Sequence, residues 1–324
     1  MSDDGATVLV VGGGIAGVAC ARALHERGIP VAVAEQAATL GGRLGTRRFG
    51  DRPVDTGAAY FTVDDRTDDR FAAVTADWRA RGLAAPWTDT LTAWSPTGTE
   101  RKSGPDRWAA RGGLRSLVAD LAAGLDVRTG TAVARVDASA AGPVVDGTPR
   151  AAVVLAMPDP QAQRLLGDGT AALAAAVEGR GWEPVVSVVA VARARTWEPF
   201  SAMFVNDHPR LTTLADDGER RGDDAPVLVA HTTPDEARRH LQDPWGAVPG
   251  VLGAVREVLG VDLDVRWAAA HRWGLAQPEG SREDAYLLDA TRIGLCGDGW
   301  GKSKVQTAWE SGDALGTALA DTLG

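Results

Sequence analysis

Residues 6–36, "ATVLVVGGGIAGVACARALHERGIPVAVAEQ", decide the fold. Thr7 to Val11 is a short β-branched and aliphatic run of the kind that a strand buried on both faces requires. Gly12-x-Gly14-x-x-Gly17 comes at once and opens a segment whose apolar residues Ile15, Val18, Ala19 and Leu24 recur at helical spacing. Gly28 and Pro30 stop that helix, and Pro30 to Ala34 reads as a second strand running into Glu35. Each glycine has its own task. Gly12 permits the strand-to-helix turn, Gly14 lets a pyrophosphate approach the amides of the helix start around Ile15 and Ala16, and Gly17 lets helix and strand pack closely. Glu35, with Gln36 beside it, lies 23 residues after Gly12, where a carboxylate accepts hydrogen bonds from a ribose diol and disfavours a 2′-phosphate.

The bulk composition narrows the function class. The chain has 324 residues, 44% of them hydrophobic and 24% charged, as an ordinary globular protein of one large or two moderate domains would. Its net charge of −9 speaks against nucleic acid and anionic membranes as partners. No apolar run reaches the roughly 20 residues of a membrane span, and the acidic start (Asp3, Asp4) is unlike a secretory signal, so a cytoplasmic protein is expected. Cys20 and Cys296 sit in apolar surroundings and are expected to pack as small hydrophobes. Five scattered histidines show no metal spacing, so no metal is expected.

The residues after Glu35 separate a flavin dinucleotide from a nicotinamide one. In "EQAATLGGRLGTRRFGDRPVDTGAAYF" the Gly41-Gly42-Arg43 triplet offers anion contacts beyond the first loop, which the longer FAD needs. The triplet resembles the second fingerprint of flavoproteins of the glutathione-reductase and amine-oxidase class, and that resemblance implies that "GLDVRTGTAVARVD" brings a strand past the adenine, with Val133 for backbone contacts; Ala152 to Ala156 is a buried strand closed by Pro158. "CGDGWGKSKVQ", residues 296–306, holds two of the three lysines. It imitates a Walker loop, but the required first glycine falls on Cys296. It reads instead as a turn whose Gly297-Asp298 resembles the pair that meets the ribityl chain in that flavoprotein class, ahead of a helix whose face carries Val305, Ala308, Trp309, Gly312, Leu315 and Leu319. The start of that helix would direct partial positive charge at the flavin, with Lys302 and Lys304 nearby to support the reduced ring or an anionic substrate group.

Taken together, "VGGGIAGVACARAL", "GGRLGTRR" followed by "VDTGAAYFTVDD", "WAARGGLRSLVADLA", "VVLAMPDPQAQRLL", "VLVAHTTPDEARRHL", "HRW" and "LCGDGWGKSKVQTAWESGDALGTAL" resemble the renalase-like branch of the flavin amine-oxidase superfamily. The resemblance implies a Rossmann-like FAD-binding domain of the glutathione-reductase and amine-oxidase type, with an inserted, mainly antiparallel β substrate domain. It implies noncovalent FAD held by Gly12, Gly14, Ile15, Ala16, Gly17, Glu35, Gln36, Gly42, Arg43, Ala59, Tyr60, Val133, Gly297, Asp298 and Val305. It also implies oxidation of 2- or 6-dihydroNAD(P) isomers by hydride transfer to flavin N5, with O2 reduced to hydrogen peroxide. An amine or amino-acid oxidase, or a desaturase of a biosynthetic intermediate, is the alternative, and a nonenzymatic FAD-binding redox sensor a third. The chain departs from the family at Lys302, Ser303, Lys304 and Gln306, where glycines, an arginine and a glutamate are common, which leaves the substrate open. Cys296 is unlike a cysteine that tethers FAD.

On this reading residues 1–61, 106–181 and 286–324 form the FAD-binding domain, and residues 62–105 and 182–285 the substrate domain. "WTDTLTAW", "PVVSVVAVARA", "APVLVAH" and "DVRWAAAHRW" are strands; Pro234 to Leu241 and Trp245 to Leu259 are helices; the acidic stretch 215–224 is a solvated turn. Tyr60 and Phe61 are expected as aromatic walls beside the flavin ring. Thr62, Trp94, Trp273, Lys302 and Lys304 are the further substrate candidates, and His231 and Lys304 join the aromatic pair as catalytic candidates.

Overall fold

In the computed structural model, which describes residues 4–64 and 69–324, the run after Thr7 forms the strand Val8–Val11, buried along its whole length. Asp3 and Asp65 lie outside the described residues. Val8–Val11 pairs in parallel with Val31–Glu35 on one side and Ala152–Leu155 on the other. The full order is Leu287–Leu288, Ile293–Leu295, Ala152–Leu155, Val8–Val11, Val31–Glu35 and Asp126–Thr129, and only the two-residue edge strand is antiparallel. Alternation sends Val8, Val10, Val33 and Val154 to one face, against the helices Ile15–Glu26, Leu114–Leu121 and Val305–Leu323. Leu9, Val11, Ala34 and Leu155 face the other way, toward Asp159–Leu165 and Ala171–Val177. The first and last helices lie in close contact, because a side chain at Gly312 would overlap the Ala16 carbonyl.

The second sheet runs Val265–Pro278, Trp182–Ala192, Val227–Thr232, Leu211–Asp216, Ala202–Val205, Ala84–Ser95, Gly98–Ala110 and Phe61–Thr62. It is antiparallel except where Ala202–Val205 meets Ala84–Ser95. Pro234–Arg239 and Val248–Leu259 cover one face through Val186, Val188, Leu214, Leu228, Val251 and Val255. The hairpin Thr46–Phe49/Arg52–Asp55 sits on the other, with Val54 packed on Val189, Val227 and Val229. The α/β architecture is the expected one, a Rossmann-like sheet joined to a mainly antiparallel second sheet.

Two expectations need correction. Gly98–Ala110 is one continuous strand, and its first nine residues are all exposed and therefore carry no alternation to read. The helix expected from Trp245 starts as a 3₁₀ turn, Pro244–Ala247, and becomes α-helical at Val248–Leu259 with a proline in its first turn. Residues 215–224 are not a solvated turn. Asp216 and Asp217 are fully buried, and Asp217–Arg221 is a short helix capped by the Asp216 carboxylate.

Candidate active site

The turn after the first strand is shaped by close approach. Gly12 has φ 113°, and a Cβ there would lie 2.5 Å from the Ala156 carbonyl oxygen; a Cβ on Gly17 would overlap the Gly12 carbonyl. Beside Gly14 the space is open, and the helix that begins at Ile15 and Ala16 has no side-chain cap. Its first-turn amides are thus available to an anion. Glu35 accepts hydrogen bonds from the Gly13 and Ala37 amides, both at 2.7 Å, and each carboxylate oxygen keeps a lone pair for a ribose hydroxyl. Gln36 is exposed beside it. The loop carrying half-buried Val133 is drawn to the same place by Thr131 N, 2.9 Å from the Glu35 carbonyl.

The second fingerprint folds onto the first. Gly41 N donates to Gly13 O at 2.9 Å, and a Cβ on Gly42 would lie 3.6 Å from Gly14 Cα. Arg43 makes a bidentate pair with Asp298, at 2.9 and 2.6 Å, and lies 5.0 Å over the Trp182 ring. Ser303 Oγ also donates to Asp298, at 2.6 Å. Two residues expected on adjoining parts of a cofactor, its diphosphate and its ribityl chain, therefore meet directly. Gly297 adopts φ 143°, its amide held by Ser311 Oγ at 2.9 Å, and Val305 opens the last helix, which has no side-chain cap. An uncapped helix start, the Glu35 carboxylate with free lone pairs and the Arg43–Asp298 pair fit the polar groups of a dinucleotide such as FAD. Cys296 is fully buried, its thiol pushed up to about 12 by burial.

The Asp55-x-Gly57 turn brings the second sheet to these groups. Thr56 and Gly57 amides donate to Gly45 O, and Ala58 N to Arg43 O at 3.0 Å. A side chain on Gly57 would overlap that Arg43 carbonyl, and one on Gly45 would lie 2.7 Å from the Trp273 ring. Trp273 Nε1 donates to Thr56 O at 2.7 Å, so this expected site residue is at the turn. Half-buried Tyr60 lies 6.4 Å from Trp87, with Arg107 5.8 Å over its ring, and Ala59 O accepts from Arg220 at 2.6 Å.

Two candidates are placed elsewhere. Successive side chains of an extended segment point to opposite sides. Phe61 therefore turns inward, 2% exposed, among Phe71, Trp78 and Trp108, and is a core residue rather than a wall. Trp94 lies on the helix-covered face, edge-on to His208 and paired with Thr99 near the hairpin tip, whereas Leu91 of the same strand clusters with Tyr60. Thr62 is half-buried opposite Arg107, Lys302 is exposed, and Lys304 Nζ lies 4.0 Å from Asp64.

On the face under the hairpin, Thr213, His231, Ser187 and His271 stand side by side across four strands. Burial and the Arg220 charge push His231 down to about 4, and its Nε2 is buried without a partner. Burial and Arg47, whose NH2 lies 2.8 Å from Nδ1, push His271 to about 4 as well. Both imidazoles are neutral at pH 7.

A buried ion network behind the turn was not anticipated. Asp55 accepts from Thr46 Oγ1, from Leu114 N at 2.9 Å and from Arg221 at 2.9 Å. Asp217 bonds Arg52, Arg220 and Arg221. Burial raises the Asp217 carboxyl, but the three guanidinium groups outweigh it and hold it below the usual carboxylate range. The available signal was "DDGERR", with acids three and four residues ahead of arginines on a helix.

Residues 10–74 match the model of the NAD(P)-binding Rossmann-like domain, and residues 77–314 that of the flavin containing amine oxidoreductases. Phytoene dehydrogenase of Streptomyces griseus is 43% identical over 67 residues, 21% of this chain and 13% of that protein. The match thus spans a small part of the curated relative's length. A crystal structure assigned as a protoporphyrinogen oxidase from Exiguobacterium sp. 255-15 has a TM-score of 0.80 and 13% identity, covering 99% of this chain and 100% of that one. Cyclohexylamine oxidase from Brevibacterium oxydans IH-35A has a TM-score of 0.77 and 14% identity, covering 98% and 99%. At these identities the two structures show the shared fold.

Proposed function

We propose that this chain, which belongs to the flavin containing amine oxidoreductase family, is an oxidase with noncovalent FAD that takes hydride from a small substrate held between the two sheets. When bound, FAD would supply the two-electron acceptor for the hydride, with O2 as the terminal oxidant reduced to hydrogen peroxide. The observation that carries the reading is the convergence of the open Gly14 helix start, Glu35 and the Arg43–Asp298 pair on a turn lined by Tyr60 and Trp273.

In this reading Gly12, Gly14, Ile15, Ala16 and Gly17 receive the diphosphate, and Glu35 with Gln36 the adenosine ribose beside Val133. Gly42, Arg43, Ala59, Gly297, Asp298 and Val305 hold the rest. Tyr60 and Trp273 orient a planar or apolar substrate, while Lys302 and Lys304 stand at the rim. Residues 62–105 and 182–285 supply most of the substrate face.

Phytoene dehydrogenase and cyclohexylamine oxidase favour dehydrogenation of a C–N or C–C bond, so an amine oxidase or desaturase is the reading that relatives support most directly. One observation favours the renalase-like alternative. His231 and His271, titrating near 4, are poor general bases at neutral pH, which suits a dihydronicotinamide that aromatises on hydride loss alone. Anaerobic stopped-flow mixing of the FAD-loaded protein with a panel of amines, and separately with 2- and 6-dihydroNAD, distinguishes the two. Bleaching of the flavin by one class within a turnover identifies it; a flavin that stays oxidised with every donor contradicts the proposal.

A further inference from the structure

Beyond the cofactor cleft, we propose that Arg47 and Arg115, together with His271, form a subsite for an anionic group of the substrate, a phosphate or a carboxylate, next to the Trp273 wall. The inference rests on the oxidase reading above and names the substrate class that reading leaves open.

Arg47 stands directly opposite Val54 in the hairpin, and Val54 packs onto the second sheet, so Arg47 faces the sheet too. There its NH2 meets His271 Nδ1 at 2.8 Å. Because Nδ1 accepts, the neutral ring carries its hydrogen on Nε2 and becomes a donor. Arg115 comes just after the start of the helix Leu114–Leu121, its amide 3.2 Å from Thr46 Oγ1. Its stem packs so closely on Gly41 that a Cβ there would lie 3.0 Å from Arg115 Cγ, and its Nε is buried without an acceptor. Ser187 is the cross-strand neighbour of His271 and is fully buried with its Oγ unpartnered.

Among the described residues neither Arg47 nor Arg115 has a carboxylate within ion-pair distance, although Arg43, Arg52, Arg195, Arg220 and Arg221 all do. Asp55, the acid whose charge acts on Arg115, already has its oxygens taken by Thr46, Leu114 N and Arg221. Burial, then the proximity of Arg47, lowers Arg115 from its ordinary value. Two guanidinium forks and an imidazole N–H form a donor-only set, the complement of phosphate or carboxylate oxygens. Trp273 lies two residues along the same face, its ring 4.3 Å from His271. A ring seated on Trp273 would therefore bring an attached anion to the two arginines, while a simple ammonium substrate would meet like charge.

The test is isothermal titration of the FAD-loaded protein with inorganic pyrophosphate at fixed ionic strength, with succinate as the carboxylate probe in a parallel arm. The expected result is saturable binding of one probe, weakened about tenfold or more by Arg47→Gln and by Arg115→Gln. Arg115→Lys, which keeps the charge, should return it to within about threefold of the parent. FAD affinity should be the same in all four proteins. The tighter probe identifies the anion. Absence of binding to the FAD-loaded protein overturns the proposal, as does binding that the variants leave unchanged. Binding only to FAD-free protein, with displacement by FAD, also overturns it by assigning these arginines to the cofactor's diphosphate. Pyrophosphate binding that depends on both arginines, in a protein whose flavin no donor reduces, supports the subsite while contradicting the oxidase reading.

Discussion

His231 should make the protein acid-sensitive between its ordinary value of 6.5 and about 4. Its folded-state value is about 4 against an ordinary 6.5, so the unfolded chain binds a proton there before the native state does. The stability it permits is complete above 6.5 and is lost as pH falls toward 4. At pH 5 the unfolded imidazole is almost fully protonated and the native one mostly neutral, which amounts to about 2 kcal/mol lost relative to pH 7. His271 acts in the same direction by less, because it is nearer solvent. Asp216 and Glu219 are raised by burial and act in the opposite direction, equally in parent and variant. Urea unfolding followed by tryptophan fluorescence at pH 7 and pH 5, for the parent and for His231→Gln, isolates the effect. The variant should lose about 2 kcal/mol less than the parent between the two pH values. Equal losses would refute the account of a buried neutral histidine pressed by Arg220.

Two further perturbations probe the packing. Gly17→Ala places a methyl group against the Gly12 carbonyl, so it should cost about 1–3 kcal/mol of stability and lower FAD affinity at least tenfold; a fluorescence titration with unchanged affinity counts against the turn's role. Asp217→Asn leaves Arg52, Arg220 and Arg221 without their shared buried counter-charge and should cost about 3–5 kcal/mol, whereas a shift in urea midpoint worth under about 1 kcal/mol would show that Asp55 alone suffices.

Much of the fold was legible because local rules and tertiary structure agree. Val8–Val11 is buried on both faces, and a continuous apolar run says so. The glycines at 12 and 17 stand where backbones nearly touch, which only their spacing could announce. Gly98–Ala110 was illegible for the opposite reason: an exposed hairpin arm with Gly104 and Pro105 has the composition of a loop, and only its pairing with Ala84–Ser95 makes it a strand. The turns at Gly12 and Gly297 could be read from their motifs, but not that Arg43 and Asp298, 255 residues apart, would bond each other. Phe61 and Trp94 show the limit for side chains. Aromatic residues near a motif suggest a wall, yet strand parity decides which side each faces, and parity is set by the sheet. The same holds for Asp217 and Arg220, whose charges suggested solvent until the hairpin and the Ala59 turn closed over them.

The measurement closest to the central claim is a titration of the purified protein with FAD, followed by gel filtration and a visible spectrum of the protein peak. Stoichiometric retention of yellow flavin, released on denaturation without proteolysis, is the result expected of a cleft built from Gly14, Glu35, Arg43 and Asp298. A well-folded chain that elutes colourless would contradict it.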